Sequence, residues 1–228
     1  MIRADLPSQL PGQHPVSRVR TKICGVTSVA DARAAAAAGA DAIGLVFAAN
    51  SKRRVTPARA AEIAAAVPPF ISCVALFMDN GADEIAQVLA TVPIDLIQFH
   101  GAEPAAFCDG FDRPYIKVVP MGEPQTRLAD WAERYPRAAA FLLDANRIGE
   151  AGGQGRVFDW QVAIEAVETI GRPIVIAGGL EPDNVGEAIA RFAPYAVDVS
   201  SGVEREPGVK CSERMRAFVN AVTEMGKA

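Results

Sequence analysis

The stretch Arg20 to Phe47, RTKICGVTSVADARAAAAAGADAIGLVF, carries the unit from which the whole chain is built. Thr21–Cys24 is a short, apolar-alternating run that stops at Gly25. Val29–Ala38 suits a helix, Gly39 supplies its stop, and Ala42 opens a second β-branched run that reaches Phe47. The alanines from Ala34 to Ala38 look low in complexity, but between a strand and a glycine stop they read as a tightly packed helix.

Outward from this stretch the same strand–helix unit recurs. Further strands are expected at Ile71–Phe77, Leu96–Phe99, Tyr115–Val119, Ala140–Leu143, Ile174–Ala177 and Ala196–Ser200. The intervening segments Pro57–Ala66, Ala82–Ala90, Pro104–Asp109, Pro124–Arg134, Trp160–Thr169 and Pro182–Arg191 suit helices, and Ser212–Thr223 follows the last strand. Thr56 before Pro57 and Glu181 before Pro182 place proline at the first helical position, where its missing N–H costs nothing. The strands are apolar on both faces, as parallel strands covered by helices should be. Eight strand–helix units with no leftover strand predict an α/β fold of the (β/α)8 TIM-barrel type.

A chain of 228 residues, half of them hydrophobic, can bury one large core. Residues 1–18 read as an N-terminal extension and residues 19–228 as a single barrel domain. Pro7, Pro11 and Pro15 stand among polar residues in the extension, which lacks the apolar segment of a secretory signal and is expected to be loosely ordered. The formal net charge is −4 and Lys52-Arg53-Arg54 is a short basic run, which argues against a nucleic-acid face. No stretch approaches the roughly 18 apolar residues of a membrane span. The four cysteines are scattered, with no C-x-x-C pair, and the two histidines are His14 and His100. Neither a disulfide framework nor a metal centre is expected, and a reducing, cytoplasmic setting is. Monomer and homodimer are both compatible with this composition.

In such barrels reactive groups stand at the carboxyl ends of strands. Cys24 ends the first strand and Asp144 directly follows Leu143 in the sixth. Two strands separate them on the shorter arc, so a sugar-sized substrate could touch both. A thiol and an acid so placed suit proton transfer on a small molecule. A free cysteine is more often a small buried hydrophobe, and Cys73, Cys108 and Cys211 are read that way. Lys22 points to the same side of its strand as Cys24 and is expected to favour the thiolate.

Gly152-Gly153-Gln154-Gly155, Ala177-Gly178-Gly179 and Ser200-Ser201-Gly202 fall on three successive loops. Glycines let backbone N–H groups close on an anion, and barrels commonly hold phosphate at the last two loops. The fork of Arg53 suits a carboxylate, although any one of the three neighbouring basic residues could equally be a solvated surface charge. His100 follows Gln98 by two positions and points the same way into the mouth, as a ligand contact or as a structural histidine. Asp198, a carboxylate inside an apolar strand, needs a partner.

Together these segments resemble the phosphoribosylanthranilate isomerase family of tryptophan biosynthesis. The resemblance runs from Arg20 to the last helix. It rests on Lys22-Ile23-Cys24-Gly25-Val26-Thr27, Gln98-Phe99-His100-Gly101, Leu143-Asp144, Gly152–Gly155 with Phe158-Asp159-Trp160, Gly178-Gly179-Leu180, and Asp198-Val199-Ser200-Ser201-Gly202-Val203-Glu204.

The resemblance implies an Amadori rearrangement of a small sugar-phosphate substrate with no cofactor and no metal. Asp144 would be the general acid at the furanose oxygen and Cys24 the general base at the neighbouring ribose carbon. Arg53 would hold the anthranilate carboxylate, and backbone groups around Gly153, Gly155, Gly179, Ser201 and Gly202 the phosphate. His100 and Asp198 would complete the substrate contacts. The chain departs from the family pattern at Gln154, where Ser or Thr is frequent, at Ala48-Ala49 and at Phe99, and by its extension.

Rival readings are an indoleglycerol-phosphate synthase, a metal-dependent pentose-phosphate epimerase and a barrel that only binds a sugar phosphate. The first calls for a catalytic lysine and carboxylates at its strand ends, where this chain has Cys24 and Asp144, and the second for paired histidines. The third has no use for both Cys24 and Asp144.

Overall fold

The computed structural model describes residues 18–122, 128–145 and 170–225. Eight parallel strands close into a barrel in sequence order: β1 (Arg20–Cys24), β2 (Ala42–Val46), β3 (Ser72–Phe77), β4 (Leu96–Phe99), β5 (Tyr115–Pro120), β6 (Ala140–Asp144), β7 (Ile174–Ile176) and β8 (Ala196–Val199). Closure comes from β8 pairing with β1, in a register that sets Lys22 opposite Asp198. All eight expected strands are present, each within a residue of its predicted bounds.

The described helices are α1 (Val29–Ala38), α2 (Pro57–Ala65), α3 (Ala82–Thr91), α4 (Ala105–Cys108), α5 (Leu128–Arg134), α6 (Val185–Phe192) and α7 (Ser212–Met225). Ser28 caps α1 by accepting from the N–H of Asp31 at 3.0 Å, and Gly39 ends it at φ 94°. Thr56 caps α2 through the N–H of Arg59, with Pro57 in the first turn as expected. α6 starts later than Pro182. The Asn184 side chain folds back, accepting from Glu181 N–H and donating to the Gly179 carbonyl, so residues 181–184 form a turn ahead of the helix. The expected helix Trp160–Thr169 and the start of Pro124–Arg134 lie outside the described residues, as do residues 1–17.

One pairing goes beyond the predicted eight units. After β8, a short turn at Ser201–Val203 leads into an antiparallel hairpin of β9 (Glu204–Glu206) and β10 (Val209–Lys210), turning through Pro207 and Gly208.

Odd and even strand positions separate two cores. Ile23, Ile43, Leu45, Ile97 and Phe141 face outward and are fully buried beneath the helices. Ile116, Val118, Leu142 and Val175 fill the lower interior. Each such side chain contributes roughly 1.5–3 kcal/mol on burial. Above this apolar plug the inward positions turn polar: Lys22, Gln98, Asp144 and Asp198 are all buried. The barrel therefore presents a ring of ionisable and amide groups on a rigid apolar floor.

Candidate active site

The end of β1 positions Cys24, which points inward two residues after Lys22. Neighbouring β2 leaves room for the thiol through Gly44. A Cβ at that position would stand 2.8 Å from Cys24 Sγ and 3.2 Å from Lys22 Nζ. From β8, Asp198 meets the lysine, with Nζ donating to Oδ1 at 3.0 Å. Asp198 thus has the partner that its apolar strand demanded.

The thiol does not ionise easily in this setting. Burial pushes the Cys24 pKa up and the Asp198 carboxylate adds to the rise, while the Lys22 and Lys210 ammonium groups pull against it. The expectation that Lys22 favours the thiolate holds for the lysine's own influence but not for the net result. Burial of the thiol outweighs it.

Asp144 ends β6 and is buried, its carbonyl accepting from Met121 N–H at 2.8 Å. His100 reaches it from the end of β4, with Nε2 3.7 Å from Asp144 Oδ2. Burial lowers the His100 pKa to about 4, so the imidazole is neutral near pH 7. Gln98 Nε2 lies 3.5 Å from His100 Nδ1, and Gln98 Oε1 is buried with no hydrogen-bond partner among the described residues.

Of the three basic residues in the second loop, Arg53 alone turns inward. Lys52 and Arg54 are exposed, and Arg54 pairs with Glu84 at the surface. The Arg53 stem crosses Gly25, where a Cβ would strike its Cδ at 2.4 Å. Its Nε and Nη2 each donate to Glu204 at 2.7 Å.

The seventh and eighth loops close the other side. Gly178 and Gly179 take φ of 85° and 64°, a region open to glycine and strained for other residues. A Cβ on Gly202 would lie 2.0 Å from the Leu180 carbonyl oxygen, so the two loops touch backbone to backbone. Ser200 Oγ donates to the Cys24 carbonyl at 3.1 Å, tying the eighth loop to β1.

Cys24, Arg53, His100, Asp144, Asp198 and Ser201 all line one open cavity, together with Gly179. Gly202 supports it from behind, against Leu180. Gly153 and Gly155 lie outside the described residues. Cys73 and Cys108 are buried, with thiol pKa values raised by burial to about 11 and about 12. All four cysteines are free thiols. Among the described residues no helix is long and apolar enough to cross a membrane.

Three members of this site went unsingled in the sequence: Gly44, Glu204 and Lys210. Glu204 closes the stretch Asp198 to Glu204 but gave no sign that it would turn back to Arg53. Gly44 interrupts an otherwise bulky strand, which was the available signal.

Comparison with known proteins agrees with this arrangement. The family model described as N-(5'-phosphoribosyl)anthranilate (PRA) isomerase matches residues 21–221. The N-(5'-phosphoribosyl)anthranilate isomerase of Pseudomonas aeruginosa is 52% identical over 204 residues, covering 90% of this chain and 95% of that one. The phosphoribosyl anthranilate isomerase structure from Thermus thermophilus superposes with a TM-score of 0.81 at 36% identity, over 91% of this chain and all of that one. Another such isomerase, solved with reduced 1-(o-carboxyphenylamino)-1-deoxyribulose 5-phosphate, gives 0.79 at 35% identity, over 90% of this chain and 99% of that one. With its barrel, its cavity and these relatives in agreement, the chain belongs to the N-(5'-phosphoribosyl)anthranilate isomerase family.

Proposed function

We propose that this chain converts N-(5'-phosphoribosyl)anthranilate into 1-(2-carboxyphenylamino)-1-deoxyribulose 5-phosphate, the isomerisation step of tryptophan biosynthesis, with Asp144 as general acid and Cys24 as general base. The observation that carries the reading is the shared cavity. A carboxyl group from β6 and a thiol from β1 line it together, between an inward arginine on one side and two glycine-bearing loops on another.

Asp144 gives its proton to the furanose oxygen, and the ring opens to a protonated imine between ribose and anthranilate. Cys24 removes the proton from the ribose carbon beside that imine. The resulting enolamine tautomerises to the ketone. The imine is already an electron sink, so the carbon facing the base is acidified without help from a metal or a cofactor. The imine also supplies what the raised thiol pKa demands. A positive charge arriving within about 4–6 Å of a buried thiol favours its thiolate, so the base is drawn into its active form by the intermediate it acts on.

Arg53 receives the anthranilate carboxylate, and backbone N–H groups around Gly179, Ser201 and Gly202 receive the phosphate, with Gly153 and Gly155 joining from the sixth loop. Neutral His100 and the Lys22-paired Asp198 contact the ribose between these two anchors.

The test is turnover of fluorescent phosphoribosylanthranilate by the purified protein. Loss of anthranilate fluorescence, with substrate consumed in many-fold excess over protein, is the expected result. Saturable binding with no turnover would make the chain a sugar-phosphate binder and overturn the reading.

A further inference from the structure

Arg53 does not stand alone at the cavity edge, and the residues that hold it belong to an element with no stated role. The pair with Glu204 is bidentate, at 2.7 Å on both contacts, and both side chains are largely buried. It uses the Nε/Nη2 edge of the guanidinium and leaves the Nη1 end outside the pair. Glu204 opens hairpin β9–β10, and β10 returns Lys210 to it, with Nζ donating to Glu204 Oε1 at 2.8 Å. The same ammonium donates to the Ser200 carbonyl at 3.1 Å, and Ser200 in turn holds the Cys24 carbonyl. Hairpin β9–β10 thereby latches the arginine loop and the end of β1 to one buried carboxylate–ammonium pair.

We infer that Glu204, held by Lys210, is a positioning residue that orients Arg53 for the carboxylate of the substrate. The inference rests on the assignment of Arg53 made above. A guanidinium on a flexible stem loses rotamer freedom when it binds, and a partner that fixes it beforehand removes part of that cost. The geometry suits this division. One edge of the fork is committed to Glu204, Gly25 gives the stem a flat bed, and the opposite end is left for a second carboxylate. Two carboxylates sharing one guanidinium would repel each other. Lys210 offsets this by placing a second positive charge on Glu204.

The test compares wild type with Glu204→Gln, Arg53→Ala and the double variant. Each is measured for kcat and KM on phosphoribosylanthranilate and for the inhibition constant of ribose 5-phosphate, which has the phosphate but no anthranilate carboxylate. Glu204→Gln should raise KM about tenfold, with kcat within about threefold of wild type and ribose 5-phosphate inhibition unchanged. The double variant should be no worse than Arg53→Ala alone, because the glutamate acts through the arginine. A purely structural role would weaken ribose 5-phosphate as well, since the eighth loop borders both anchors, and would add to the Arg53 effect. Either result overturns the inference. If Glu204→Gln does not fold, Glu204→Asp keeps the charge and shortens the reach; a raised KM with unchanged ribose 5-phosphate inhibition supports the inference, and an unchanged KM rejects it. An Arg53→Ala variant with normal KM would instead reject the arginine assignment itself.

Discussion

Cys24 shows how several weak fields combine on one atom. Burial alone makes the thiol a poor acid, and Asp198 opposes ionisation further, while Lys22 and Lys210 act the other way. The sum keeps the free enzyme in its thiol form near neutrality, which protects the sulfur from adventitious alkylation and oxidation. The pH dependence follows from the sign. Alkylation of Cys24 by iodoacetamide should rise with a midpoint above the roughly 8.5 of a free cysteine. Lys22→Met should move that midpoint higher still, because it removes the nearest positive charge and leaves Asp198 uncompensated. A midpoint below that of a free thiol, or one indifferent to Lys22→Met, would contradict this balance. Competing alkylation of Cys73, Cys108 and Cys211 is separated by peptide mapping.

At the scale of the element, β2 earns its place by what it omits. Its outward residues Ile43 and Leu45 are fully buried, whereas Gly44 between them leaves space for Sγ and Nζ. Gly44→Ala would put a methyl group against both the sulfur and the Cys24 Cα, at 2.8 and 3.1 Å. Overpacking of this kind costs about 1–3 kcal/mol. A loss in that range by urea denaturation, together with a fall in turnover, is expected, and wild-type stability and activity would show that β2 has more give than its packing implies.

The regular elements were legible because buried parallel strands advertise themselves as short β-branched runs, and because Gly39 and the Thr56-Pro57 pair mark a helix stop and a helix start in their types. Hairpin β9–β10 was not legible. Glu204-Arg205-Glu206 is charged throughout, and Val209–Lys210 is two residues long, so neither has a strand's hydrophobic signature. Only the Pro207-Gly208 turn signal marks it. Site residues divide the same way. Cys24 and Asp144 could be placed by counting strands to their carboxyl ends. The Arg53–Glu204 pair spans 151 positions and becomes visible only when the barrel closes. Asp198 lies between, since its burial predicts a partner without saying that Lys22 is the one.

At the scale of the whole molecule, buried ion pairs tie several of the described loops above the barrel to one another. Besides Arg53, Glu204 and Lys210, a second cluster centres on Lys117, which projects outward from β5 and is fully buried. Its Nζ donates to Glu103 Oε2 at 2.7 Å and to the Gly101 carbonyl at 2.6 Å. Glu103 Oε1 accepts from the N–H groups of Asp79 and Gly101. The loops after β3 and β4, the latter carrying His100, are thus fastened to one point. Removing one member of a buried pair strands the other, at about 3–5 kcal/mol. Lys117→Met should therefore destabilise the fold by that order in chemical denaturation. Arg54→Ala, which breaks the exposed pair with Glu84, should cost less than about 1 kcal/mol. Equal effects from the two variants would refute the view that burial sets their importance.

The proposal that proton transfer on the ribose is done by a sulfur from β1 and a carboxyl from β6 is tested most directly by single-site kinetics. Turnover of phosphoribosylanthranilate is to be compared between wild type, Cys24→Ala and Asp144→Ala, with product-analogue affinity measured on the same preparations. Each variant should lose about 10²–10⁴-fold in kcat while binding the analogue nearly as well as wild type. Near-normal kcat in either variant would show that the proton travels by another group.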